Sequence, residues 1–220
     1  NICFVSPSIW NKNLAEKYLL AHKSIRVINN GINLNLFKPI KSDIREKLNL
    51  QNKFVILCVA YPWSKDKGLL IINELASKLD DRFQILMIGL TDKNETHAKI
   101  LRHERISSPI ELAKYYSMAD VFLTPSVGDN FPTVDMEALA CGTPVISFDV
   151  GGTKEIVTED VGWVVKKGDI DALEKSIYSA YNHPIPKTKC LEYAKKFDKI
   201  EMCKKYLALY DEMIKANEAK

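Results

Sequence analysis

Two acidic residues, Asp129 and Glu137, lie eight positions apart around a turn and the start of a predicted helix. A carboxylate can accept two hydroxyl hydrogens at once, which suits neighbouring hydroxyls on a sugar or a ribose. Each residue also has a structural interpretation, because an early-helix acid complements the helix dipole and aspartate is common in turns. The spacing alone leaves the two interpretations evenly balanced.

The backbone between these acids can also bind a ligand, because a helix N-terminus offers free N–H groups and a positive dipole end to an anion. The residues at this helix start are Asn130, Phe131, Pro132, Thr133 and Val134. Proline is tolerated in the first turn, where its missing N–H would be unpaired anyway. Gly151 and Gly152 lead into the next helix and predict a second anion site beside the first.

A lysine after a buried strand adds a positive charge to this set. Lys67 precedes Gly68 in a long turn, and Lys65 lies two residues earlier. A cation there can pair with phosphate, and each such hydrogen bond contributes about 1.5–3 kcal/mol. The alternative is a solvated lysine, but the position in the turn favours phosphate. Two anion sites beside two carboxylates suit a nucleotide-sugar, which has central phosphates and terminal hydroxyls.

These residues need a scaffold that brings several turns to one edge. Buried apolar runs alternate with helical patterns and no hairpin signal appears, which predicts an α/β fold with a doubly wound, Rossmann-like parallel sheet. In the central stretch, residues 119–124 and 145–148 are predicted strands, and residues 133–141 are a helix between them. Turns after parallel strands lie at the carboxyl edge of the sheet, where such folds bind ligands.

One region gives a weak signal. Residues 91–101 are predicted to form a polar loop and a weak helix, and Ile106 is predicted to be the single core residue of a short strand. The G-x-G-x-x-G fingerprint of dinucleotide-binding proteins is absent from the sequence. We therefore do not predict a dinucleotide site.

Composition excludes several classes of function. The net charge of +3 over 220 residues is too small to suggest a nucleic-acid-binding protein. No apolar run reaches the roughly 18 residues of a membrane span. The five cysteines and four histidines lack ligand spacing, so we expect reduced cysteines in a cytoplasmic protein, no metal and no cofactor. The chain opens inside a predicted strand, which we interpret as a fragment of a longer polypeptide.

Four segments resemble the retaining glycosyltransferase family 4, which has the GT-B fold. VINNGINLNLFKP, residues 27–39, resembles its inter-domain crossing, and VILCVAYPWSKDKGLL resembles its first donor-domain strand and Lys-Gly turn. ADVFLTPS followed by DNFPTVDMEALACGTPVISFDVGG resembles its most diagnostic motif, two acids with seven residues between them. FDKIEMCKKYLALYDEM, residues 197–213, resembles its closing helix.

The resemblance implies a role for individual residues. Glu137 matches the acid on the donor ribose, Asp129 the acid near the transferred sugar, and Lys67 the lysine on the diphosphate. Two positions depart from the family pattern, because Asp129 stands where glutamate is usual and Tyr61 stands where arginine is frequent. Lys65 is then expected to assist Lys67, and the backbone of residues 130–134 is expected to approach the sugar and phosphates.

The resemblance also implies a domain layout. Residues 1–24 resemble the last strand and helix of an acceptor domain, and residues 25–30 resemble the crossing. Residues 31–195 resemble a complete donor-binding domain, and residues 196–220 resemble a helix that returns towards the acceptor domain. By analogy, residues 103–105 border the nucleotide base.

The implied function is hexosyl transfer from a UDP- or GDP-linked sugar to a hydroxyl of a carbohydrate or lipid-linked acceptor. Retention at the anomeric carbon is expected. The reaction is expected to belong to polysaccharide or glycolipid synthesis. This chain alone should be inactive, because it would contain only half of the active site. Peripheral membrane attachment through a further domain stays open. The alternatives are a nucleotide-sugar 2-epimerase of the same architecture and a non-catalytic nucleotide-binding module.

Overall fold

A computed structural model describes residues 2–18 and 20–218 of the 220-residue chain; residues 1, 19, 219 and 220, which the domain predictions include, lie outside it. The strands are β1 (Phe4–Ser6), β2 (Ile25–Val27), β3 (Phe54–Val59), β4 (Phe83–Ile88), β5 (Ile100–His103), β6 (Val121–Thr124), β7 (Val145–Phe148) and β8 (Gly162–Val165). The α-helices are α1 (Ile9–Tyr18), α2 (Ile44–Lys47), α3 (Leu69–Lys78), α4 (Pro109–Met118), α5 (Thr133–Ala140), α6 (Thr153–Ile156), α7 (Ile170–Asn182), α8 (Lys187–Ala194) and α9 (Lys199–Glu218). A 3₁₀ turn, Lys195–Phe197, joins α8 to α9.

The main sheet has six parallel strands in the order β5-β4-β3-β6-β7-β8. This order runs outward in both directions from β3 and β6, so the predicted doubly wound parallel sheet is confirmed. The strand order reverses between β3 and β6, and ligands of open α/β sheets bind at that switch point. The strands β1 and β2 form a separate two-stranded parallel sheet.

The central strands are apolar throughout because the sheet is buried on both faces. Along β3, Val55 and Leu57 pack into one hydrophobic cluster, whereas Ile56 and Cys58 pack into the cluster on the opposite face. All four side chains are fully buried. The two layers hold the carboxyl ends of the strands in a fixed arrangement beneath the loops that follow them.

The central stretch folds as predicted, with small shifts at its ends. The strand β6 begins at Val121 rather than Ala119, and α5 ends at Ala140 rather than Cys141. Pro132 is the residue before the first helical residue instead of part of the first turn. Gly142 has a φ of 84°, which is the left-handed conformation expected of a glycine after a helix.

The prediction for residues 91–106 is wrong. The structure has no helix there; a strand, Ile100–His103, pairs with β4 at the edge of the sheet, and Ile106 follows it in a loop. Only Ile100 of this strand is buried, so the sequence lacks the continuous apolar run that marks the inner strands. Pairing with β4, a tertiary interaction, determines the strand.

The two ends of the six-stranded unit meet at one point. Ile32 N donates to Phe197 O at 2.8 Å, and Lys199 N donates to Ile32 O at 2.9 Å. A side chain at Gly31 would place its Cβ 2.6 Å from the Cα of Lys199, so glycine allows this close approach.

Among the described residues, no helix has both the length and the apolar character that crossing a membrane requires.

Candidate functional site

Lys67 and Asp129 meet at the switch point of the sheet. Lys67 lies in the loop after β3 and Asp129 in the loop after β6, and Lys67 Nζ lies 2.9 Å and 3.1 Å from the two carboxylate oxygens. The side chains are 39% and 21% exposed, so both remain accessible to a ligand. The sequence assigned one residue to phosphate and the other to sugar, and the structure brings them into direct contact.

The two loops are held close enough for this contact by glycine and by the backbone. Gly68 has a φ of 80°, and a side chain there would place its Cβ 2.4 Å from the carbonyl oxygen of Pro125. Val127 N donates to Asp66 O at 2.9 Å across the same gap. A residue other than glycine at position 68 would therefore push the loops apart and separate the ion pair.

The N-terminus of α5 lies in the same loop as Asp129 and is open. Within the described residues, no side chain caps this helix, so its first N–H groups keep their capacity to bind an anion. Thr133 is exposed and Val134 is half-buried, whereas Phe131 is 5% exposed and packs edge-to-face on Phe197. Of the residues predicted to meet the donor, Phe131 can therefore contribute only its backbone.

Glu137 lies one turn further into α5 and is mostly buried. Its Oε2 accepts a hydrogen bond from the hydroxyl of Tyr116, on α4, at 3.0 Å. Burial raises the pKa of Glu137 to about 7, against the lowering effect of the Tyr116 hydrogen bond. Burial, together with the Glu137 carboxylate, also raises the pKa of Tyr116 well above its usual value. The acid therefore changes charge near neutral pH.

A third carboxyl group, Asp135, was missed by the sequence interpretation. It is fully buried in the first turn of α5, and its Oδ1 accepts from the Thr124 hydroxyl at 2.6 Å. Its other oxygen has no partner among the described residues. Burial raises its pKa to about 7, the Thr124 hydrogen bond lowers it and the Asp129 charge raises it. An acid early in a helix is ordinary in sequence, so only the tertiary structure reveals it.

Gly151 and Gly152 support the Asp129 loop. A Cβ at Gly151 would lie 1.5 Å from Asp129 O, and Gly152 N donates to Asn130 O at 3.0 Å. The helix that follows, α6, has only four residues. The Gly152 amide, predicted to meet an anion, is therefore already engaged, and the pair shapes the loop instead.

A hollow of about 350 Å³ lies at the ends of β3, β4 and β5. Tyr61 and Arg105 form one side of it, with the guanidinium 4.6 Å from the centroid of the tyrosine ring. His103, predicted with Arg105 to border the base, also lines it. Lys65 is exposed in the loop after β3, and Trp63 is a core residue whose Nε1 donates to Ile88 O.

A second hollow, of about 520 Å³, lies on the other side of the ion pair, at the ends of β6, β7 and β8. One wall comes from α1, which contributes Trp10, and the other walls come from the loops that follow strands of the main sheet. The lining includes Trp10, Gly128, Asp129, Asn130, Asp149 and Lys167. The ion pair thus stands between two hollows at one edge of the sheet.

Comparison with known families identifies the class of protein. Residues 40–197, more than half of the chain, match the family described as glycosyl transferases group 1. The chain therefore belongs to this family. The match includes the ion pair, α5 and both glycine turns described above.

Relatives of known name are glycosyltransferases as well. The D-inositol 3-phosphate glycosyltransferase of Streptosporangium roseum is 30% identical over 179 residues, 71% of this chain and 41% of that protein. The N,N'-diacetylbacillosaminyl-diphospho-undecaprenol alpha-1,3-N-acetylgalactosaminyltransferase of Campylobacter jejuni is 26% identical, over 93% of this chain and 57% of that protein. The chain spans about half the length of these curated relatives.

Solved structures confirm the GT-B type of architecture. Sucrose-phosphate synthase from Thermosynechococcus elongatus superposes with a TM-score of 0.86 at 25% identity, over 97% of this chain and 59% of that one. Anabaena HepE, solved in complex with UDP-glucose, superposes with a TM-score of 0.79 at 18% identity, over 96% of this chain and 64% of that one. The second likeness concerns the fold alone.

Proposed function

We propose that this chain is the donor-binding half of a retaining glycosyltransferase that uses a nucleoside-diphosphate sugar. The observation that carries the proposal is the Lys67–Asp129 pair at the switch point, beside the uncapped N-terminus of α5. In this proposal residues 1–24 belong to an acceptor domain, residues 25–30 form the crossing, residues 31–195 form the donor-binding domain, and residues 196–220 form a helix that returns towards the acceptor domain. The full-length enzyme needs both, so this chain alone is expected to bind donor without transferring sugar.

Lys67 stabilises the charge that develops when the glycosidic bond breaks. Negative charge grows on the distal phosphate of the leaving nucleotide, and a fixed ammonium together with a helix N-terminus lowers the energy of that state. The structure pairs Lys67 with Asp129. Phosphate binding competes for Lys67 and leaves Asp129 free to accept hydroxyls of the transferred sugar.

Glu137 has an oxygen left for the ribose. Its Oε2 accepts from Tyr116, which fixes the side chain, and a carboxylate keeps acceptor sites on its other oxygen. The side chain retains partial exposure, so the ribose hydroxyls can reach it. The hollow of Tyr61 and Arg105 then takes the base, because an aromatic ring and a guanidinium plane both stack on heterocycles.

The acceptor in this proposal is a carbohydrate or a lipid-linked sugar, and the product belongs to polysaccharide or glycolipid synthesis. Support comes from the family and from the Campylobacter relative, whose name describes an undecaprenol-linked acceptor. UDP is the favoured nucleotide because HepE was solved with UDP-glucose. A lipid-linked acceptor is compatible with an enzyme that acts at the inner face of a membrane.

Calorimetric titration of this chain with UDP-, GDP- and ADP-sugars tests the donor site. We expect binding of at least one donor, and Lys67→Ala should weaken it about 10- to 100-fold, the loss of a charge-assisted contact. Lys47→Ala is the matched control, because Lys47 pairs with Asp43 before β3, at the opposite edge of the sheet. Absence of binding at millimolar donor, or equal effects of both substitutions, contradicts the proposal.

A further inference from the structure

The hollow at the ends of β6, β7 and β8 contains a tryptophan held at a fixed position. Trp10 is 41% exposed, a high fraction for the largest apolar side chain. Its backbone is fixed by Glu155, whose two oxygens accept from Ile9 N and Trp10 N, each at 2.9 Å. The N-terminus of α1 is thus tied to α6, and the indole is kept beside the main sheet.

Polar groups line the hollow together with the indole. Asp129 and Asn130 come from the loop after β6, Asp149 follows β7, and Lys167 follows β8. Asp149 is exposed and pairs with Lys154 at 2.6 Å. An aromatic ring in the same hollow as carboxylate, amide and ammonium groups suits a pyranose ring, whose C–H face is apolar and whose hydroxyls need donors and acceptors.

The position of the hollow decides which sugar it would hold. The sheet order places the Tyr61–Arg105 hollow on one side of the ion pair and the Trp10 hollow on the other. If the nucleoside occupies the first and the diphosphate the centre, the transferred sugar lies at Asp129. The Trp10 hollow, which Asp129 also lines, then adjoins the transferred sugar, so an acceptor ring bound there can direct its hydroxyl to the face of the anomeric carbon that the diphosphate leaves, as retention requires. The volume of about 520 Å³ accommodates a single ring.

We propose that the hollow of Trp10, Asp149 and Lys167 binds the terminal pyranose ring of the acceptor, with the ring stacked on the Trp10 indole. This rests on the proposed function, because it takes the donor to occupy the ion pair and the opposite hollow. Trp10 is then a determinant of acceptor specificity contributed by the N-terminal segment, and Glu155 is its positioning residue.

Indole NMR signals of this chain test the proposal with methyl α-glucoside, methyl β-galactoside and methyl β-N-acetylglucosaminide, in the presence of UDP. The chain has three tryptophans. Trp63 is a buried reference, and Trp163 lines a different hollow. We expect at least one glycoside to shift the Trp10 signal with millimolar affinity. Trp10→Ala should weaken that binding about fivefold or more, whereas Trp10→Phe retains most of it.

Leu14→Ala is the matched control, because Leu14 is 42% exposed on the same helix. UDP affinity should be the same in all variants, which shows that each is folded. The proposal is overturned if UDP binds but no glycoside moves the Trp10 signal, or if Trp163 responds instead. It is also overturned if Trp10→Ala weakens UDP-sugar rather than glycoside, since the ring then belongs to the donor. Absence of UDP binding contradicts the proposed donor function instead.

Discussion

Two sets of carboxyl groups flank the start of α5, and their surroundings differ. Asp129 lies before the helix, 21% exposed, and is paired with Lys67. Asp135 and Glu137 lie inside the helix, and burial raises the pKa of each to about 7. Acids within nine residues of one another therefore divide into one that is paired with a cation and two that can carry a proton near neutral pH. Burial rather than residue type makes the difference.

The largest expected effect concerns stability. The native state keeps the proton of Asp135 up to a pH of about 7, whereas the unfolded carboxyl releases it near 3.8. The native state thus binds more protons, and the free energy of unfolding falls as the pH rises between these values. Asp135→Asn removes this loss. The free energy of unfolding of the variant minus that of the wild type should therefore increase by about 1.4 kcal/mol per pH unit in that window.

Urea unfolding at several pH values measures this difference. Asp81→Asn is the control, because the Asp81 side chain is 93% exposed. Parallel pH profiles of the free energy of unfolding in the wild type and in Asp135→Asn would contradict the difference between the two sets of acids. A profile of Asp81→Asn that diverges from the wild type as strongly would also contradict it.

Glu137→Gln should have an intermediate effect, on ligand binding. The amide oxygen still accepts from Tyr116, but the charge that strengthens the bond to a ribose hydroxyl is lost. We expect UDP to bind roughly 5- to 20-fold more weakly at pH 8. At pH 6 the difference should shrink, because the wild-type acid with its pKa of about 7 is protonated there.

Pyrophosphate separates the ribose contribution from the phosphate contribution, because it has no ribose. Its affinity should change less than about twofold in Glu137→Gln. Calorimetry with both ligands at both pH values provides the measurement. A parallel loss of pyrophosphate and UDP affinity would place Glu137 on the phosphates and would contradict the separation of roles.

The smallest effect is expected at the Lys67–Asp129 pair. Asp129→Asn frees Lys67 from its partner, so pyrophosphate should bind about two- to fivefold more tightly, within the 0.2–1 kcal/mol range of exposed ion pairs. Asp149→Asn controls for the general loss of negative charge, because Asp149 pairs with Lys154 and not with Lys67. Weaker pyrophosphate binding in Asp129→Asn would mean that the carboxylate orients Lys67 rather than competing for it.

The sequence was sufficient for the inner part of the fold. The strand β7 is an example, because its limits, Val145–Phe148, match the prediction. The edge strand Ile100–His103 was not predicted, because an edge strand is buried on one side only and its run of alternating buried and exposed residues is short. Its pairing depends on β4, which a local pattern does not contain.

The candidate site was only partly readable from sequence. Residue type and spacing predicted Lys67, Asp129 and Glu137 as site residues, but did not predict the partners that the structure gives them. Asp135 looked like any acid in a first helical turn, and the hydrogen-bond partner of its carboxyl group, Thr124, lies eleven residues away on β6. The proximity of Trp10 to the loop after β7 was also not predicted, because the separation of Trp10 and Asp149 along the chain exceeds any local pattern. Contacts between distant elements decide both cases.

The meeting of Ile32 with Phe197 and Lys199 has a consequence for folding kinetics. These hydrogen bonds close a loop that includes the whole six-stranded sheet. The entropy lost on closing so long a loop is compensated only after the sheet between its ends has formed, so this contact belongs to the late steps of folding. A substitution such as Gly31→Ala should therefore accelerate unfolding and leave the folding rate nearly unchanged.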